Sequence, residues 1–438
     1  MHGMLGSAKL FKSGLAMLSC LIVLTLGASV MAAEAPKPPA ARQGPFVRQD
    51  VNRGNTVLGR PRPDYDAVGI RVGSFFWYPT FEFSPTWDTN IFSSTNNRKS
   101  DLVMILSPEI SFRSNWRRHE LNFGARTDIG RYRKHDNENY EDASIIANGR
   151  LDIRRFEFAF AGVRWAQRHE DRGSPDDANG IRPTKFWAYE GVAGYQRRFN
   201  RLTARVQALY RYLDFRDVST LTATINNDDR DRHEFTGTAR LTYRVSPKYQ
   251  VFAEGNFYYV SYADSFDDAL LQRDNKGFGI NGGVIIELGN KLFGEIFGGF
   301  RRQTYEDPLL STVSGVNGGL LLTWNPTGLT TLKGSVVRTI EQTTLVGASG
   351  YFSTQVRFSA DHELRRNLIL SGFGSFQIDD YQGINREDKW IRAGIQAKYL
   401  VNRYFNGTLG YEYTHRQSNV GNQSFTRHLI ILSVKGQL

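Results

Sequence analysis

Cationic and other polar side chains recur at every second position in this chain. Arg126 and Asp128 share one parity of their run, as do Arg205, Gln207 and Arg211, and Arg392, Gln396 and Lys398. Glu254, Arg357 and Glu412 occupy the polar parity of theirs. A guanidinium pairs a carboxylate through two parallel hydrogen bonds, so a wall of such groups suits anionic solutes, uronic acids or pyruvylated sugars. Rings of Arg and Lys also guide anions through pores. The acidic neighbours Asp128, Glu254 and Glu412 support a second reading, in which charges of both signs pair along the wall and stiffen it.

Other chemistry finds little support. No HExxH, Walker loop, nucleophile elbow or paired-Cys metal spacing occurs, so neither an enzyme nor a cofactor is expected. A lipid hydrolase whose Ser and His converge only in space is the enzymatic alternative. His119, His135, His169, His233, His362, His415 and His428 fall mostly near turns and loop edges, where a solvated imidazole is ordinary. Asp176-Asp177-Ala178-Asn179-Gly180 and Asn226-Asn227-Asp228-Asp229 offer oxygen ligands to Ca²⁺, but without the spacing of an EF-hand. They read as solvated loop tips, and no metal is assigned.

The polar positions need an element that separates them from the apolar ones between. Leu202, Ala204, Val206, Ala208, Tyr210 and Tyr212 oppose Thr203, Arg205, Gln207 and Arg211. Ile391, Ala393, Ile395, Ala397 and Tyr399 oppose Arg392, Gln396 and Lys398, and Leu121, Phe123, Ala125 and Ile129 oppose Asn122, Arg126 and Asp128. A period of two sends alternate residues to opposite faces of a strand. An Arg facing the lipid midplane costs a barrel roughly 2–4 kcal/mol, so the charged face must line a lumen and the apolar face must meet lipid. Tyr210, Tyr212, Tyr411 and Tyr413, near strand ends, fit an interfacial aromatic girdle.

Turn chemistry divides the runs. Short turns rich in Asn, Gly, Pro and Ser, such as Arg198–Arg201 and Gly289–Lys291, alternate with longer polar connections such as His169–Thr184 and Arg216–Arg232. Eight short turns and nine longer loops predict an all-β, antiparallel up-and-down transmembrane β-barrel of about 18 strands (range 16–20). An even count places both termini on the periplasmic side, with the long loops outside. A soluble sandwich or propeller would want bulkier buried faces, and no blade repeat is visible. Pro79, Pro85 and Pro108 predict bulges or a frayed rim, because proline cannot donate to a ladder.

Composition agrees. The chain has 438 residues, 13% aromatics, 42 Gly and 14 Pro, with a mean hydropathy of −0.42. Beyond the first 35 residues, no apolar run approaches the roughly 20 needed for a membrane helix. Lys9, Lys12, the apolar stretch from Leu15 to Val30 and the small residues before Ala33 read as a signal peptide over 1–32, with an uncleaved anchor as the alternative. The single Cys, Cys20, falls within it, so the mature chain has neither disulfide nor thiol. Removing Lys9 and Lys12 from 55 Lys and Arg, against 44 Asp and Glu, leaves a formal charge of +9. The basic residues are spread along the chain, which fits a polyanion-facing lumen or anionic lipid headgroups better than nucleic acid. Residues 33–69 read as a periplasmic leader rich in Pro and Arg, able to plug the lumen, meet a partner or stay unstructured. Residues 70–438 form the barrel.

The run Arg60-Pro61-Arg62-Pro63-Asp64-Tyr65-Asp66-Ala67-Val68-Gly69-Ile70, continuing through Tyr78-Pro79 and Trp87-Asp88-Thr89-Asn90, resembles the opening of the beta-barrel porin 2 family of Gram-negative bacteria. The resemblance extends to the end of the chain, through its rhythm of basic turns and acidic loops. Ala67 stands where the family pattern has Pro, and the chain ends in Leu438 rather than an aromatic residue. Members of the family often accompany exopolysaccharide synthesis and export systems. The resemblance therefore implies an outer-membrane conduit for a polysaccharide, with periplasmic export proteins and outer-membrane lipids as partners. A general or anion-preferring diffusion porin, and a structural barrel plugged by its leader, are the alternatives.

Overall fold

Inside a hydrocarbon layer a strand must pair on both edges, so two-faced runs of this kind have to close on themselves. The computed structural model of the chain, which describes residues 56–177, 180–289 and 291–438, does so. Eighteen long antiparallel strands, from Phe75–Asp88 to Phe425–Gln437, each pair with their neighbours in sequence. The first and last strands complete the cylinder, in a register running from Thr80↔Gln437 to Asp88↔Leu429. No helix among the described residues is long and apolar enough to cross a membrane. The count, the antiparallel order and the alternation of short and long connections are those read from the sequence.

The wall inverts the usual order of a folded protein. Phe81, Phe123, Val163, Ile280 and Ile395 are exposed on its outer surface, while Glu82, Thr86, Asn281, Gln303 and Asp379 are buried on the inner one. Outward burial of apolar groups in lipid replaces a central hydrophobic core.

The prolines behave differently from the expectation. The strand Phe75–Asp88 pairs with Asp101–Ser114 without interruption, through Pro79↔Ile110 and Pro85↔Met104. At the seam, pairing lapses only between Phe83↔Val434 and Thr86↔Ile431, and the register on either side is the same. The missing N–H thus costs a local ladder bond rather than a bulge. Register shifts occur instead at three short-turn hairpins, between Asp152 and Arg154, Trp324 and Thr327, and Glu363 and Arg365. At the first of these Phe156 adopts φ +68°, unusual for a side chain of its size. The guanidinium groups of Arg198 and Arg155 lie over its ring, at 3.5 and 4.9 Å from the centroid.

Both ends of the cylinder carry folded additions. Residues 56–69 precede a short strand, Ile70–Val72, that pairs back on Phe75–Trp77. Gly69 lies there at φ +74°, and a Cβ on it would come within 2.5 Å of the Tyr78 ring, so the motif needs glycine at this point. At the long-loop end, Leu271 and Leu310 pack with Tyr305, Val313, Ile340 and Phe352 in a small apolar cluster, and the connection after Phe215 makes its own miniature hairpin, Val218–Ser219 with Thr224–Ile225. The signal peptide, its Cys20 and the first part of the leader lie outside the described residues.

Candidate functional site

Each polar residue singled out in the sequence lies on the inner parity of its strand, opposite the exposed apolar residues. Two sectors of the inner wall treat their charges differently.

In the first, cations are neutralised by neighbours. Arg126 holds Asp128 at 2.8 Å and Glu109 at 3.5 Å. Arg211 pairs with Glu234, which also takes Arg232 at 2.8 Å. Glu254 lies 3.4 Å from Arg240, which reaches Glu295 at 2.7 Å. Arg205 donates to Gln207 at 3.1 Å and stacks over Phe160. A cavity of about 210 Å³ opens beside these groups, lined by Arg211, Glu254, Tyr258, Phe297, Arg301 and Asn317 among others. Arg301 lies over the Tyr258 ring at 3.9 Å.

In the second sector, six adjacent strands place Ser335, Arg357, Ser375, Arg392, Thr414 and Arg427 side by side in register. With strands just under 5 Å apart, the Cα atoms of successive Arg residues in this line stand about 10 Å apart, with a hydroxyl-bearing residue between them. Arg357 lies over Phe373 at 4.5 Å, and Arg392 over Trp390 at 4.4 Å. Arg392 also donates to Gln377 at 3.2 Å. Lys333, Arg357, Lys398 and Lys435 have no carboxylate within ion-pair distance among the described residues. Gln396 sits between Ser371 and Gly410 in register, and Glu412 between Gly394 and Leu429, both half-buried. This sector can exchange hydrogen bonds, stack on apolar faces and balance negative charge along one line.

The second sector lies between two closures. At the short-turn end the leader turns inward. Val57 is 1% exposed, packed against Ile369, Leu400 and Tyr65, and its N–H donates to Thr331 Oγ1 at 2.9 Å. Arg62 of the opening motif donates to Glu363 at 2.7 Å and to the Val57 carbonyl at 2.8 Å, while Arg60 reaches Glu363 at 3.5 Å. Tyr65 and Asp66 return their N–H groups to the Arg62 carbonyl, forming a turn, and Gln437 of the last strand donates to the Tyr65 carbonyl.

At the other end the connection 170–184 crosses the mouth. Arg230 holds Glu170 through two bonds of 3.0 and 2.8 Å, and Arg172 holds Glu138 through two of 2.9 and 2.6 Å. Arg427 ties Asp171 at 2.9 Å while also holding Asp88 at 2.6 Å, and Arg416 donates to the Gly173 carbonyl at 2.9 Å. Thr343, in a loop across the barrel, donates to Asp176 at 3.0 Å. The expectation of a solvated tip at Asp176 and Asp177 is therefore wrong. The segment folds inward, the Asp177 side chain is 3% exposed, and burial pushes the Asp176 carboxyl above its usual range. Asn227 is buried too, whereas Asp228 is exposed. No group of three or more His, Cys, Asp or Glu able to hold a metal occurs among the described residues.

Sequence reasoning missed the Glu170–Arg230 and Arg172–Glu138 ties, which join distant loops with no periodic signal. It included Arg62 only through the family motif, and it gave no signal for Val57 or Glu363.

Fold and lumen together define a closed transmembrane barrel of the outer-membrane kind. The family model described as "Putative beta-barrel porin 2" matches residues 62–438, and the chain belongs to this family. It is accordingly an outer-membrane protein of a Gram-negative bacterium. Among solved structures it is similar to OpdL of Pseudomonas aeruginosa (11% identity, 84% of this chain and 99% of that one, TM-score 0.42). It is also similar to OpdK of the same species with vanillate (11%, 83% and 99%, TM-score 0.44), and to the siderophore receptor PirA of Acinetobacter baumannii (7%, 83% and 80%, TM-score 0.45). A search of curated proteins finds no match to the chain.

Proposed function

We propose that this barrel is a channel, not an enzyme, through which an exopolysaccharide leaves the periplasm, working passively with a synthesis and export system. The observation that carries the reading is the inner line of guanidinium groups, hydroxyls and stacked rings held between two closures. A sugar chain presents hydroxyls, apolar C–H faces and, when acidic, carboxylates. Ser335, Ser375 and Thr414 match the first, Phe373 and Trp390 the second, and Arg357 and Arg392 the third. Short turns and both termini lie on the periplasmic side in this reading, so the leader closes the periplasmic mouth and the segment 170–184 narrows the outer one. Deleting the gene from a polysaccharide-secreting strain should abolish secretion while synthesis continues inside the cell. Undiminished secretion would sink the proposal.

A second reading, an anion-preferring diffusion porin, draws on the cations of that sector that make no ion pair among the described residues. Planar-bilayer recordings separate the two. A steadily open, anion-selective pore favours the porin, and a barrel closed until partners or leader removal open it favours the conduit.

A further inference from the structure

The eight short turns contain no Asp or Glu, and seven of them contain Arg or Lys. Arg117, Arg118, Arg155, Arg201, Lys248 and Lys291 are all exposed, and none of these makes an ion pair among the described residues. Arg366 and Arg403 continue the series in the last two turns. Three of the long connections have the opposite character, with Asp and Glu concentrated in 170–184, 216–231 and 263–274. One rim of the cylinder is therefore a nearly continuous cationic collar.

The collar is interleaved with aromatic rings on the outside of the wall. Trp116, Phe199, Tyr249 and Tyr404 are each more than 40% exposed at this end. Arg197 lies over Phe199 at 4.6 Å, and Phe156 carries the two guanidinium groups already described. Cations that load a cargo must face the lumen. These stand exposed in the turns, beside rings that face outward where the apolar band ends. Exposed rings at that level mark the headgroup layer, and cations beside them are attracted to anionic lipid.

We infer that this collar binds the phosphate groups of anionic glycerophospholipids in the leaflet at the short-turn end. The inference does not depend on what the channel carries. The mature chain in nanodiscs of mixed phosphatidylglycerol and phosphatidylcholine, released and weighed by native mass spectrometry, should retain phosphatidylglycerol in several-fold excess. R117Q/R118Q/R155Q/R201Q should lose most of that excess while folding equally well in phosphatidylcholine, and Lys389→Gln at the opposite rim should keep it. Raising salt from 0.05 to 0.5 M should weaken the wild-type preference, a readout that needs no variant. Equal retention of the two lipids by the wild type overturns the inference, as does an undiminished preference in the quadruple variant. It is equally overturned if the variant loses binding to a soluble acidic polysaccharide but keeps its lipid preference, since the collar would then serve cargo capture.

Discussion

Each mouth of this barrel carries an inward-folded segment, and the two are held by different means. At the short-turn end the segment 56–69 is held by the buried Val57, by the buried carboxylate of Glu363, which receives both Arg62 and Arg60, and by Gln437, which donates to the Tyr65 carbonyl. At the long-loop end the segment 170–184 is tethered to strands on both sides and tied to neighbouring loops at Glu138 and Arg230 and to the wall at Arg416 and Arg427. A segment whose contacts gather on one side of the mouth, at Thr331, Glu363, Ile369, Leu400 and Gln437, can leave as a unit. A closure with four ties on separate elements loses only a part of its hold when any one is cut. The contrast predicts that the leader acts as a removable stopper and the loop as a fixed constriction.

The sharpest way to break this contrast is to remove the stopper. Deleting residues 34–66 leaves every barrel strand in place, and single-channel conductance should rise by roughly an order of magnitude over an almost closed wild type. An unchanged conductance would mean that the leader fills no part of the path. Glu363→Gln should follow at smaller amplitude. Arg62 and Glu363 have side chains only 10% and 8% exposed, and removing one partner of a buried pair costs about 3–5 kcal/mol because the other charge is left uncompensated. Much of that should appear as release of the leader, read as a rise in open probability or in protease cleavage near Arg60. At the opposite mouth, Arg230→Gln cuts one tie of several. It should widen the pore only modestly, with less than a twofold change in conductance. A jump as large as that of the leader deletion would show that this loop also opens as a unit.

How much of this was legible in the sequence follows from the range of each interaction. Strand number and facing were legible, because a period of two is written locally, and each of Arg205, Arg392 and Lys398 is flanked by the apolar residues that fix its side of the wall. The closures were not. Val57 meets Thr331 and Arg62 meets Glu363 across some 300 positions, and neither partner is distinguished by its neighbours. Asp176 and Asp177 were misread for a related reason. Polar loop composition normally signals solvation, but the inside of this barrel is itself polar, so an acidic segment can fold inward and find Thr343 and Arg172 there. The prolines were misread because a β-ladder can omit one bond at Pro85 without changing register.

The smallest expected effect sharpens the comparison through pH. The long-loop mouth holds carboxyl groups whose burial resists ionisation. Burial pushes the Asp231 carboxyl up to about 6, with the N–H of Phe215 as a partial counterweight and Asp214 and Asp228 adding repulsion. An unfolded Asp titrates near about 4. The folded loop therefore binds a proton that the released loop gives up between those values. Its contribution to loop stability is full below about pH 4 and is lost as pH rises through 6. Asp176 shifts in the same direction through burial. Acidification from pH 7 to 5 should thus tighten the long-loop constriction, seen as a small fall in conductance of the leader-deleted barrel, where only that mouth remains. Asp231→Asn keeps the oxygen that accepts the Phe215 N–H but cannot ionise, so it should hold the low-pH conductance at pH 7 and flatten most of the pH response. A response of the opposite sign, or one unaltered by Asp231→Asn, would show that Asp231 does not set the pH response of this mouth.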